Sequence, residues 1–145
     1  MQPNVWKQGG WYFEAKTAEE VMVAIARLGA HSVNHRFAWR GLSNLNYPLT
    51  SSLHRFLERK GEKDIVESKL RAWEEEILDK ARSWGLGVEG GTMVDDLQLL
   101  ADLQHFGVPT RLIDFTSNPM TALWFASKET LNSKGQRASG ILVAL

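Results

Sequence analysis

The sequence predicts an α+β fold, with three to four sizeable helices packed around a small mixed or antiparallel sheet. Three observations carry that expectation. Capped apolar stripes recur at helical spacing around Val21, Leu70, Leu97 and Leu123. Two short segments, His35 to Gly41 and Ile141 to Leu145, have strand character. A length of 145 residues suffices for one real core but not for two independent ones. The strands are expected near Phe37, Ile113 and Ile141, in an order the sequence leaves open. Residues 1–145 are read as a single domain. Because Ile141-Leu-Val-Ala-Leu145 reads as a strand with no closing turn behind it, the domain is expected to be truncated at its C-terminal end.

Taken in order, Trp11-Tyr-Phe-Glu-Ala15 is a short aromatic run expected as an edge strand. Thr17-Ala-Glu-Glu20 follows as a capping box, the threonine oxygen and the Glu20 carboxylate satisfying first-turn amides. Val21, Ala24, Ile25 and Leu28 then repeat at helical spacing, and Gly29 suits the left-handed residue after the helix end. In His35-Arg-Phe-Ala-Trp-Arg-Gly41 alternation puts Phe37 and Trp39 on one face and Arg36, Ala38 and Arg40 on the other. Leu42 to Ser52 is a polar loop, and Ser51-Ser-Leu-His-Arg55 either adds ligand contacts or starts a short helix running to Lys60.

The longest helical pattern runs from about Glu62 to Trp84, with Val66, Leu70, Trp73, Ile77, Ala81 and Trp84 as its apolar stripe. Its other faces pair Lys63–Glu67, Glu67–Arg71 and Glu76–Lys80, so Glu74, Glu75 and Glu76 are read as part of a solvated face. Gly85-Leu-Gly-Val-Glu-Gly-Gly91 fails both nucleotide fingerprints, lacking a following Lys-Ser/Thr and a preceding hydrophobic strand; a flexible connection is expected instead. Thr92 would cap the next helix with Asp95 at its third position, and Met93, Leu97, Leu100, Ala101 and Gln104 would form one face. Gly107 and Pro109 end that helix, which leaves His105 in its last turn. Asn118 and Pro119 make a strong start for a final helix, and Lys128 to Gly135 is its polar exit.

Composition excludes several classes of function. Seventeen basic residues balance seventeen acidic ones, so net charge recruits neither nucleic acid nor an anionic membrane surface. No window approaches the roughly 18 apolar residues of a membrane span. With no cysteine there is no disulfide framework and no thiolate chemistry, which suits a reducing compartment. Val5-Trp-Lys-Gln-Gly-Gly10 breaks any signal-peptide run, so a cytoplasmic location is expected by elimination. The four histidines have no companion carboxylate or cysteine at ligand spacing, and no metal is expected.

Chemistry concentrates in Leu103-Gln-His-Phe-Gly-Val-Pro-Thr-Arg-Leu-Ile-Asp-Phe-Thr-Ser-Asn-Pro119, where His105, Arg111, Asp114 and Thr116 lie between two helical patterns. Two readings stay open. The polar groups form a site, or they form a buried brace in which Arg111 and Asp114 pair and Thr116 and Asn118 cap the next helix. Arg40, ending a strand beside Gly41, is placed to grip a carboxylate or phosphate. A solvent-facing arginine on a one-sided sheet fits the same spacing slightly better.

Phe37-Ala-Trp-Arg-Gly41, the block Leu103 to Pro119 and Ala122-Leu-Trp-Phe-Ala126 together strongly resemble the FRG domain family. The likeness extends over most of the chain, from about Trp11 to Leu145. That family occurs mostly in bacterial and phage proteins, some linked to phage defence, so the resemblance implies such a setting. A weaker likeness joins Arg40-Gly41, Thr116-Ser117 and Asn118-Pro119 to the first two motifs of ADP-ribosyltransferases. It implies NAD as cofactor or ligand, with Arg40 and Gly41 at the dinucleotide and Thr116 and Ser117 lining the pocket. Arg111 would then contact phosphate, His105 would donate or exchange a proton, and Asp114 would orient Arg111 or His105. The third, acidic motif has no match: Glu129 falls in a helical exit. The alternative is a non-catalytic sensor or interaction module that recognises a nucleotide or protein partner.

Overall fold

The computed structural model describes residues 12–31 and 36–145, the side chain of His31 excepted. The elements run α1 (Ala18–His31), β1 (Trp39–Leu42), α2 (Ser52–Arg59), α3 (Glu67–Ser83), β2 (Val88–Glu89), β3 (Thr92–Met93), α4 (Asp96–His105), α5 (Pro119–Ala126) and β4 (Ile141–Ala144). The fold class is α+β, with five helices among the described residues. The strands form two separate two-stranded antiparallel sheets, β1 with β4 and β2 with β3. The chain divides into two compact units, one ending at Pro48 and resuming over Asp114–Leu145, the other spanning Leu49–Ile113. None of the described helices is long and apolar enough to cross a membrane.

In the first unit β1 and β4 pair with Trp39 opposite Ala144 and Leu42 opposite Ile141. The ladder runs one residue further through reciprocal bonds between Ala38 and Leu145. Phe37 and Trp39 share a face, as alternation requires, and their rings meet edge to face at 6.0 Å. Trp39, Val143 and Ala122 form the buried centre, with α5 packed along both strands. That approach is so close that only glycine fits beneath the helix. A Cβ on Gly41 would lie 1.7 Å from the Ala122 carbonyl oxygen, and one on Gly140 would lie 2.0 Å from that of Ala126. Asn118 caps α5 as expected, its Oδ1 accepting from the Met120 amide at 2.9 Å with Pro119 at the first helical position.

Several expectations for this unit change. Tyr12 to Lys16 have no regular secondary structure, and Tyr12 and Phe13 are exposed, so no aromatic edge strand forms there; Trp11 lies outside the described residues. The strand expected from His35 begins at Trp39, with His35 itself outside the described residues. Thr17 Oγ1 does accept from the Glu20 amide, at 3.1 Å, but the Glu20 carboxylate reaches back to the Lys16 amide. α1 continues through Gly29 to His31, because nothing in that turn requires a left-handed residue. Ile113 is not in a strand; the backbone bonds expected nearby are made by Thr116.

In the second unit all three helices end in the same way. Gly61, Gly85 and Gly107 have positive φ of 81°, 77° and 88°. In each case the glycine and the following residue return their amides to the last helical turn, as in Val108 N to Leu103 O at 2.9 Å. Ala81, Leu99 and Leu103 form the core between α3 and α4, joined by Ile77, Leu78, Val94 and Val108. Leu53 and Leu57 of α2 are also fully buried.

Here too the termini differ from the sequence pattern. The flexible glycine connection is a hairpin: Val88-Glu89 pairs with Thr92-Met93 across Gly90 and Gly91, both with positive φ. Two left-handed residues are what a two-residue turn between twisted strands needs. Thr92 therefore belongs to β3, and the cap of α4 is Asp95, whose Oδ1 accepts from the Gln98 amide at 2.8 Å. The buried face of α4 is Leu99, Leu100 and Leu103, while Leu97 and Ala101 are exposed. The long helix starts only at Glu67, since Asp64 takes φ 53° and interrupts it; Val66 and Trp84 at the ends of the expected stripe are exposed.

Candidate functional site

Five of the seven residues singled out for function fall in the first unit, and its structure gives most of them a local task. Trp39 and Thr116 exchange both backbone bonds, at 2.7 and 2.8 Å, which sets Thr116 and Ser117 beside Arg40. Arg40 Nη1 donates to the carbonyl oxygen of Asp114 and so ties β1 to the chain leading into α5. Thr116 Oγ1 accepts from the Asn118 amide at 3.1 Å, a turn-closing bond of the kind short hydroxyl side chains favour. Gly41 is explained by the α5 backbone above it. Ser117 and Asp114 are exposed.

His105 and Arg111 belong to the second unit. His105 closes the last turn of α4, solvent-exposed, with its ring 5.5 Å from the ring of Phe106, itself 83% exposed. Arg111 is held by α3. Its Nε and Nη2 donate to Glu74 Oε1 at 2.9 and 2.6 Å, and its Nη1 donates to Glu67 Oε1 at 2.5 Å. Two residues of α3, Glu67 and Glu74, are therefore the partners that hold Arg111 within the second unit. Glu74 is buried, so reading it as part of a solvated face was wrong. The signal was present: Leu70, Glu74, Ile77 and Ala81 step by four, three and four, which puts the carboxylate in the apolar stripe.

This pairing fixes charge states. The Glu74 carboxylate, accepting from Arg111, raises the guanidinium above its already high ordinary value. Glu67 is held below the usual carboxylate range, first by the hydrogen bond from Arg71 and then by the charge of Arg111. Next to Arg111, Thr110 is completely buried. Its amide donates to Ser52 Oγ at 3.0 Å, its carbonyl accepts from Ser52 Oγ and the Leu53 amide, and its hydroxyl donates to Gln104 Oε1. The turn thus locks onto the start of α2.

At that junction lies a groove of about 310 Å³. Its polar wall is Thr50, Ser51, His54, Glu67 and Arg111, and Leu49, Leu70 and Ile113 supply its apolar part. Ser51 is committed as the cap of α2, its Oγ accepting from the His54 amide at 3.2 Å. Two buried polar atoms of the wall have no hydrogen-bond partner among the described residues, Thr50 Oγ1 and His54 Nδ1. Glu58 Oε2 lies 3.6 Å from that nitrogen, within ion-pair range but beyond a good hydrogen bond. Polar atoms buried without a partner beside apolar residues mark the place where local bonding accounts least for the side chains present. Of this wall the sequence pointed to Arg111, and to Ser51 and His54 as one of two readings of their segment. Thr50 carried no signal. Among the described residues no cluster of three His, Asp or Glu side chains is arranged to hold a metal ion.

No curated protein and no solved structure matches the chain. The family model for the FRG domain matches residues 35–135, which include the Arg40-Gly41 strand, the α2 junction and the whole block from Gln104 to Pro119. With that span covering well over half of its length, the chain belongs to the FRG domain family.

Proposed function

We propose that this FRG domain is a non-catalytic recognition module that takes a small nucleotide-type ligand, NAD-like molecules among them, in the groove beside Arg111. The observation that carries the reading is the wall itself: a fixed guanidinium–carboxylate pair next to two unpartnered polar atoms and an apolar floor. A volume of about 310 Å³ lies at the lower end of the range of small-molecule pockets. Among the described residues no hydroxyl of the wall is hydrogen-bonded to His54 Nδ1, which supports binding over turnover. The family resemblance sets such a module in a bacterial or phage protein, with phage restriction as the biological readout. Calorimetric titration of the protein with NAD, paired with an NAD glycohydrolase assay, tests the reading. Binding without turnover is expected, and no heat of binding at millimolar ligand sinks it.

A second reading, ADP-ribosyltransferase-like chemistry, is favoured by one observation. The bridge between Trp39 and Thr116 brings the two motif segments side by side, followed by α5. Arg40→Ala separates the two. It leaves binding in the Arg111 groove intact under the first reading and abolishes both NAD binding and turnover under the second.

A further inference from the structure

The groove's charge balance says which part of a nucleotide it would hold. Arg111 is the cation a phosphate would seek, but two carboxylates are already on it. Glu74 is buried and fixed, Glu67 stands at the groove wall and is also paired to Arg71, so the two arginines and two carboxylates leave no net positive charge for a phosphate. A phosphate brought there would meet a carboxylate at close range, which disfavours it.

The hydrogen-bonding pattern points elsewhere. Both bonds that Glu67 accepts, from Arg71 at 3.1 Å and from Arg111 at 2.5 Å, go to Oε1. Oε2 accepts none from the described residues. Among the described residues Arg111 uses three of its five N–H groups, which leaves two. A carboxylate oxygen that accepts, a guanidinium that still donates and a threonine hydroxyl able to do either form a set that matches hydroxyl groups. A carboxylate receiving ribose hydroxyls is an established way for proteins to hold a nucleoside sugar. A hydroxyl pair would donate to Glu67 Oε2 and accept from Arg111. A turn of the Thr50 side chain to another staggered rotamer would bring its buried Oγ1 to the ligand. The apolar floor of Leu49, Leu70 and Ile113 would take a flat base.

We infer that the groove recognises a vicinal diol, through Glu67 and Arg111, and that a nucleotide is held there by its sugar and not by its phosphates. This inference rests on the groove being a ligand site. Calorimetric titration with adenosine, 2′-deoxyadenosine, AMP, NAD and methyl β-ribofuranoside tests it on the intact protein and on Glu67→Gln. Adenosine should bind within about threefold of AMP, with little salt dependence. Removing the 2′-hydroxyl should weaken binding about ten- to hundredfold, the loss expected for a hydrogen bond to a charged group. Glu67→Gln should erase most of that discrimination while thermal denaturation stays near the parent's, Glu67 being exposed. Thr50→Val gives a second, independent variant, with a smaller loss for every diol. If the methyl riboside binds as tightly as adenosine, the diol assignment holds and its source is a free sugar. If AMP and NAD bind but adenosine does not, and deoxygenation changes nothing, the diol inference falls while the groove remains a nucleotide site. If no probe binds at millimolar concentration, both fall.

Discussion

Removing the arginine of the ion-paired cluster gives the sharpest test of how the second unit is held. In Arg111→Ala, Glu74 loses two hydrogen bonds, at 2.9 and 2.6 Å, and its carboxylate stays in place with a side chain only 10% exposed. Breaking a buried pair from one side typically costs about 3–5 kcal/mol, because the remaining charge is stranded away from water. The Arg111 side chain is 31% exposed, so part of its attraction is screened and a cost of roughly 2–4 kcal/mol is expected. For a chain of this length that corresponds to a fall in Tm on the order of 10 °C. Urea denaturation followed by circular dichroism measures it, with Arg111→Ala, Glu74→Gln and the double variant closing a cycle. If the stranded charge is the cause, Arg111→Ala/Glu74→Gln should be more stable than Arg111→Ala alone by about 1 kcal/mol or more. A cost below about 0.5 kcal/mol for Arg111→Ala, with no recovery in the double variant, would refute the buried-pair argument and leave Arg111 as a surface residue.

Three further outcomes follow from the packing. Gly41→Ala forces a Cβ to 1.7 Å from the Ala122 carbonyl oxygen, backbone against backbone, so thermal denaturation should show a loss of about 3 kcal/mol or more. Thr110→Val removes the hydroxyl that donates to Gln104 and accepts from the Leu112 amide at 3.2 Å; at a completely buried position this should cost about 1–3 kcal/mol in urea melts. The depressed acidity of Glu67 makes stability pH-dependent in one direction. Its contribution is complete above its ordinary value of 4.5 and is lost as pH falls through the lower folded value, so acid titration of Glu67→Gln should be flatter than the parent's in that window.

How much of this was legible in the sequence depends on the range of the interaction. Features set by neighbours in the chain came through: the Asn118-Pro119 start, the Gly107 stop and the Phe37/Trp39 face. Helix ends chosen by competition did not. Thr92 and Asp95 are both good caps, and the Gly90-Gly91 turn decided between them by drawing Thr92 into a strand. Gly29 looked like a stop because glycine favours one, yet a glycine inside a helix costs only about 1 kcal/mol and the helix runs on. Long-range partners were hardest to see. Nothing local says that Arg111 will bond to Glu74 across 37 residues, nor that Ser52 will bond to Thr110 across 58. The candidate site was correspondingly half visible: its arginine stood in a conspicuous block, and its carboxylates stood on a helix whose other charges face solvent.

The conspicuous block is best understood by asking which of its polar atoms are already committed. Thr110 satisfies its amide, carbonyl and hydroxyl within the unit, and Arg111 gives three N–H groups to two carboxylates. Thr116 closes a turn and Asn118 caps α5. Within the second unit the polar residues of the block thus satisfy buried groups where the chain after α4 meets the start of α2, and each such group left unpaired would cost about 1–3 kcal/mol. Such a brace does more than stabilise. By holding Arg111 against Glu74 it fixes the guanidinium in one orientation, and by locking Thr110 to Ser52 it fixes the start of α2 beside it. Thr50 Oγ1, His54 Nδ1 and Glu67 Oε2, which have no hydrogen bond among the described residues, all belong to residues lining the groove between those two fixed points. On the proposed reading brace and site are one arrangement: the committed residues set the geometry, and recognition would fall to the few atoms left over.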